Sequence, residues 1–108
     1  MAVGSNQPRQ FRSIFKSGIP FSGTVTLTAA AAAETSDTVT VAGAVQGDCV
    51  LFGLLEDTED GVLTANVNVD GLVEFTLVNA TGSTITIAGA TVKGVVLKWD
   101  DEVGVAGE

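Results

Sequence analysis

An all-β fold, an antiparallel β-sandwich or small jelly-roll-like barrel of about seven short strands behind an extended N-terminal arm, is the class this sequence predicts. Three observations predict it. The 45% of residues that are hydrophobic are mostly Val, Ala, Leu and Ile rather than aromatics at 6%, and β-branched side chains suit a pleated surface. Thirteen glycines, with many Thr, Asn, Asp and Ser, supply the turns that short strands need. From Gly23 onward apolar residues recur with a period of two. A chain of 108 residues has room for one such core and no second domain.

Residues 1–21, with both prolines, Pro8 and Pro20, lack strand alternation and are assigned to the arm. Phe11, Ile14 and Phe15 fall at i, i+3 and i+4, so a helical turn or two would gather them on one face, opposite Arg9, Arg12 and Lys16. Gly18 would end that turn, and Phe21 closes the arm. The domain proper is expected over residues 22–100 and an acidic tail over residues 101–108. Val25 and Leu27 alternate with threonines, as do Val39 and Val41, giving two half-buried strands. The run TAAAAAETSD between them is expected to be a loop or a short turn of helix.

The run CVLFGLL, Cys49 to Leu55, is apolar at both parities, which fits a central strand covered on both sides or a strand whose outer face meets a partner. Val50, Phe52 and Leu54 are accordingly candidate self-association residues. In LTANVNVDGLVEFTL a three-residue loop, Val69-Asp70-Gly71, pairs Val67 with Val73, Ala65 with Phe75 and Leu63 with Leu77, so that apolar faces match. A two-residue loop would mix them. After the turn Asn79-Ala80-Thr81-Gly82 come a strand through Ile85 and Ile87 and a last strand, TVKGVVLKW, whose buried face is open between Val92 with Val96 and Val95 with Leu97 and Trp99.

Chemistry narrows the function. There is no histidine and no tyrosine, so the common general base, the commonest metal ligand and any Ser-His or Cys-His pair are missing. Paired carboxylates need a cleft that a small body hardly offers, and the chain is expected not to be an enzyme and to use no cofactor. The acidic stretch Glu56-Asp57-Thr58-Glu59-Asp60-Gly61 lacks the ligand pattern of an EF-hand, so it is expected to be a solvated loop without metal. Asn79-Ala80-Thr81 matches a glycosylation acceptor but fits a turn better. Cys49 has no partner for an intrachain disulfide and is expected to be a buried structural thiol. No signal peptide or apolar span of about 20 residues occurs, so synthesis in a cytoplasm is expected and a membrane role is not.

Charge is unevenly placed. Net charge is −8, yet residues 1–33 hold Arg9, Arg12 and Lys16 and no acid, while all thirteen carboxylates lie beyond, against Lys93 and Lys98 alone. Such a body repels phosphate backbones, and nucleic acid is not an expected partner.

At Val39-Thr40-Val41-Ala42-Gly43-Ala44-Val45-Gln46-Gly47-Asp48, followed by an apolar strand, the chain resembles small β-sandwich accessory virion proteins of tailed bacteriophages. The pattern continues with the hairpin at Asp70-Gly71, LVNATGSTITIAG and the closing VVLKW, over roughly residues 23–99. The Phe-rich basic arm and the acidic loop at residues 56–60 depart from it. The resemblance implies a capsid decoration, or cement, protein on the outer surface of the head shell, made in the host cytoplasm, with the major capsid protein as partner. Arg9, Phe11, Arg12, Ile14, Phe15, Lys16 and Phe21 would then be the capsid-binding arm, and self-association into a trimer or small cluster would run through the Cys49 strand. Two rival functions are a fibre or tail-associated module recognising a receptor or carbohydrate, and an acidic cytoplasmic inhibitor that mimics nucleic acid.

Overall fold

A computed structural model of the chain describes residues 14–100. Six strands follow one another: β1 (Phe15–Ala29), β2 (Ala33–Thr40), β3 (Cys49–Leu54), β4 (Val62–Val69), β5 (Leu72–Asn79) and β6 (Ile85–Trp99). They form two antiparallel sheets of three strands, ordered β1-β6-β3 and β2-β5-β4. Every connection crosses between sheets except the β4–β5 hairpin. Val25, Leu27, Ile87, Val92 and Val96 from one sheet meet Val39, Val67, Val73, Phe75 and Leu77 from the other in a single core. Phe75 is its centre: Phe52 meets it edge-on at 5.2 Å and Phe21 lies at 6.3 Å.

Six strands replace the expected seven because the two C-terminal segments are one strand. Ala88-Gly89 interrupts β6 as a bulge opposite Thr26, with Gly89 at a positive φ of 60° and its N–H donating to Thr26 Oγ1. The alternation therefore breaks in sequence while the strand continues. Part of the segment expected as an arm is also strand. From Phe15 onward the chain is strand, not helical turn, because β6 runs far enough to pair with it down to Phe15↔Trp99. Gly18 and Pro20 sit inside β1 rather than ending an element, and Pro20 is tolerated because β1 is an edge. The alanine run is divided: Ala29 ends β1, Ala33 begins β2, and the turn between them places Ala32 at φ 60°.

The β4–β5 register pairs Leu63 with Leu77 and Ala65 with Phe75, as face matching requires. The extra residue is absorbed differently from the expected three-residue loop. Val69 pairs with Leu72, leaving Asp70-Gly71 as the turn, and the irregularity falls between Asn66 and Val69. The neighbouring loop, residues 41–48, accounts for this. It donates Gly47 N–H to Val67 O, Gln46 N–H to Asp70 Oδ1 and Val41 N–H to Gly71 O, and its Ala44 carbonyl accepts from Gly71 N–H. The hairpin's main-chain groups are taken up by a third segment.

Candidate functional site

The outer surfaces of the two sheets differ in their side chains. Outside β2-β5-β4 stand Ser36, Thr38, Thr64, Asn66, Asn68, Glu74 and Thr76, tied by Ser36–Thr76, Asn66–Asn68 and Asn68–Glu74 hydrogen bonds. Beside them Val62 and Val78, paired across β4 and β5, are 59% and 40% exposed. Outside β1-β6-β3, rung partners Gly18, Leu97 and Cys49 form one apolar row and Pro20, Val95 and Leu51 the next. Phe15 and Trp99 stack beyond them, ring centres 4.8 Å apart. None of the three strands contains a carboxylate, their charged side chains being Lys16, Lys93 and Lys98, and beyond the apolar rows the face continues through Ser22 and Lys93 to Thr24, Thr91 and Thr86.

Local sequence builds the patch. Val92 and Val96 turn inward and are fully buried, so Val95, Leu97 and Trp99 point out, which resolves the alternative left open by TVKGVVLKW. Gly18 lets Val95 and Leu97 close over β1, since a Cβ there would meet Val95 Cγ2 at 2.9 Å. Leu97 is thereby only 6% exposed although it lies on the outer face. Leu51 remains 55% exposed and Trp99 41%. Trp99 Nε1 donates to Gly47 O, and Lys98 Nζ reaches Gly43 O and the Asp48 carboxylate, so loop 41–48 is fastened to the end of β6.

The expected site residues divide into three groups. Arg9, Phe11 and Arg12 lie outside the described residues, as does the tail over residues 101–108. Ile14 is exposed beside the stacked pair, with its carbonyl accepting from Asp100 N–H. Phe15, Lys16 and Phe21 belong to β1, where Phe21 turns inward against the core. For the expected self-association residues, it is the facing of the side chains and the place of the strand that differ. Val50, Phe52 and Leu54 pack inward against the core, and β3 is an edge strand rather than a central one. Its outward side chains are Cys49, Leu51 and, just beyond the strand, Leu55, so Cys49 is half-buried on the patch and not in the core. Both parities are apolar because one faces the core and the other the patch.

Other candidates take structural roles. Asn79 is 1% exposed, and its Nδ2 donates to the carbonyls of Ala29, Ala30 and Ser83 while Oδ1 accepts from Thr81 N–H and Oγ1–H. Its amide nitrogen is therefore enclosed, not presented as a sugar acceptor. The acidic segment is a turn in which Glu59 and Asp60 take positive φ and Asp57 Oδ1 accepts from Glu59 N–H. Among the described residues no group of three His, Cys, Asp or Glu side chains is arranged to hold a metal, and no helix is long and apolar enough to cross a membrane. No known family model, curated protein or solved structure matches the chain.

Proposed function

We propose that the protein is a capsid decoration protein: a six-stranded β-sandwich, jelly-roll-like in its crossings, that docks on the outer surface of a bacteriophage head shell and stiffens it without doing chemistry. The observation that carries this reading is the apolar patch of Pro20, Leu51, Val95, Leu97 and Trp99 at one end of the outer face of β1-β6-β3, a sheet without carboxylates on an otherwise acidic chain. Surfaces of this kind on a small protein mark a protein–protein contact. The resemblance of residues 23–99 to accessory virion proteins supplies the kind of partner, the major capsid protein. The described chain begins at Ile14, beside Phe15 and Trp99 at the apolar end of the face, which supports assigning the basic segment with Arg9, Phe11 and Arg12 to the same contact.

Val95→Glu tests the reading by placing a carboxylate in the middle of the patch. Binding to undecorated shells is expected to fall at least about tenfold, the effect of losing roughly 1.4 kcal/mol, while the copy number of the unaltered chain in purified particles stays within a few-fold of the capsid subunit. Undiminished binding by a folded Val95→Glu chain, or absence from the particle, refutes it. One observation favours a second reading. The exposed Trp99 stacked on Phe15 is an aromatic platform of the sort that holds sugar rings, which suits a fibre or tail-associated module. Glycan binding abolished by Trp99→Ala would establish that reading instead.

A further inference from the structure

The four sheet edges are not equally guarded. Natural edges are protected by proline, charge, bulges or cover. β1 carries Lys16 and Pro20, β2 carries Glu34 and Asp37, and β4 carries its irregularity between Asn66 and Val69 and is joined there by Gly47 N–H. β3, sequence CVLFGL, has none of these. Its free side also lies over an incomplete part of the core. On the β1/β2 side Val25, Leu27 and Val39 are buried and Asp37 Oδ2 accepts from Thr26 N–H across the gap. On the β3/β4 side Val50, Phe52, Leu54, Leu63 and Ala65 are only partly buried.

The register tells which main-chain groups are unpaired. Opposed residues of an antiparallel pair alternate between those that exchange both hydrogen bonds and those whose groups point away. Leu55 N–H donates to Thr91 O at 2.9 Å, and the pairs Gly53↔Lys93, Leu51↔Val95 and Cys49↔Leu97 share its parity. Val50, Phe52 and Leu54 therefore direct their N–H and C=O groups away from β6, toward an edge that no other strand takes among the described residues.

From these features we infer that a second copy of this chain pairs with the first through β3, antiparallel about a two-fold axis at Phe52. Val50 then faces Leu54 of the partner copy, Phe52 faces its counterpart, and six main-chain hydrogen bonds form. A continuous six-stranded sheet results, β1-β6-β3 joined to its copy. Charge opposes the association of two chains of net charge −8, and it does so least at β3, which carries no charged side chain; Asp48, which would face Glu56 of the partner copy, is already paired with Lys98. Area sets the strength. A six-residue edge is about 20 Å long, and with a sheet separation near 10 Å plus the flanking Leu51 and Leu55 it buries on the order of 400 Å² per copy, half the roughly 800 Å² of a standard interface. The dimer is weak in solution and is reached when copies are concentrated. Nothing in this pairing depends on attachment to a shell.

The experiment uses the full-length purified chain without capsids. Sedimentation equilibrium is expected to show a monomer–dimer equilibrium between about 20 μM and 1 mM, and exchange of the Val50, Phe52 and Leu54 amides is expected to slow at least about tenfold over that range. Leu51 and Gly53 amides, already bonded to β6, change little. In a Cys49→Ser background, chains carrying Leu51→Cys mixed with chains carrying Gly53→Cys should form a covalent heterodimer, because these positions face each other across the two-fold pair. Gly53 accepts the substitution, since no heavy atom lies within 4 Å of its Cβ position. A monomer throughout the range overturns the inference, and so does a dimer that leaves the three amides unprotected. Protection of those amides only on adding shells also overturns it, by assigning the edge to a capsid strand.

Discussion

Truncating Asn79 to alanine tests whether one buried amide fastens three segments of the domain. Its Nδ2 donates to Ala29 O at 3.0 Å, Ala30 O at 3.1 Å and Ser83 O at 2.7 Å, and its Oδ1 accepts from Thr81 N–H at 2.9 Å. Ala30 and Ser83 are exposed and their carbonyls regain water, whereas Ala29 is 1% exposed. A buried acceptor left unmet costs about 1–3 kcal/mol, and each lost bond to a group that regains water costs about 0.5–1.5 kcal/mol. The expected loss is about 3 kcal/mol. For a body of this size each kcal/mol is worth roughly 4–8 °C in Tm, so the transition should fall by about 12–24 °C in a calorimetric or circular-dichroism melt. Asn79→Asp sharpens the test. The ionised carboxylate keeps the shape but faces three carbonyl oxygens, so the folded state favours its neutral form and binds the proton more tightly than the unfolded state does. Stability relative to the parent is then lost as pH rises through and above the ordinary carboxylate range, and is partly regained in acid. A Tm within about 4 °C of the parent for Asn79→Ala, which corresponds to under 1 kcal/mol, would refute the role given to this side chain.

Three further outcomes are expected. Phe75→Ala, at the fully buried meeting point of Phe21 and Phe52, should cost about 3–5 kcal/mol in urea unfolding, and a loss under about 1.5 kcal/mol would mean the core collapses around the vacancy. Gly71→Ala should cost about 1–2 kcal/mol, since its φ is +85° while nothing lies within 4 Å of a Cβ there; an unchanged midpoint would show that conformation is not what holds glycine at the turn. Lys98→Met should loosen loop 41–48 by removing the bonds to Gly43 O and Asp48, read as faster amide exchange at Val45 and Gln46 with little change at Phe75. Equal acceleration at both sites would show that the lysine supports the whole domain rather than the loop.

Class, much of the core and the hairpin register away from its turn were legible from the sequence because each rests on local periodicity; the turn itself, with Val69 paired to Leu72, was not. Matching Ala65 with Phe75 and Leu63 with Leu77 needs only the alternation of two neighbouring strands and the turn between them. The miscounted strand and the strand within the expected arm have a different origin. A bulge at Ala88-Gly89 looks like a turn in one dimension, and the strand character of Phe15 to Phe21 comes from β6, about 80 residues away. The outer patch was half-legible: Val95, Leu97 and Trp99 alternate correctly, but Val92 and Val96 alternate equally well, and only burial of the latter pair in the core decides between them. Asn79 was legible as a turn residue and not as a core residue, because its three acceptors are distant in sequence or reached backward through the loop. For β3, apolar character at both parities reflects a core side, Val50, Phe52 and Leu54, and an exposed apolar side with Leu51, and says nothing about whether a strand lies next to it.

The close pairing of Phe15 with Trp99, sealed by Asp100 N–H on Ile14 O at 2.8 Å, brings both ends of the described chain out at one pole. Mechanical load is therefore felt differently according to where it is applied. Tension between the two ends peels β1 from β6 one rung at a time, starting at Ile14, and opens the ribbon at low force. Tension between the leading segment and a body gripped by its outer face acts along β1 and shears many rungs together. A subunit tethered by its N-terminal segment to a pressurised shell would be loaded in that second, stronger direction.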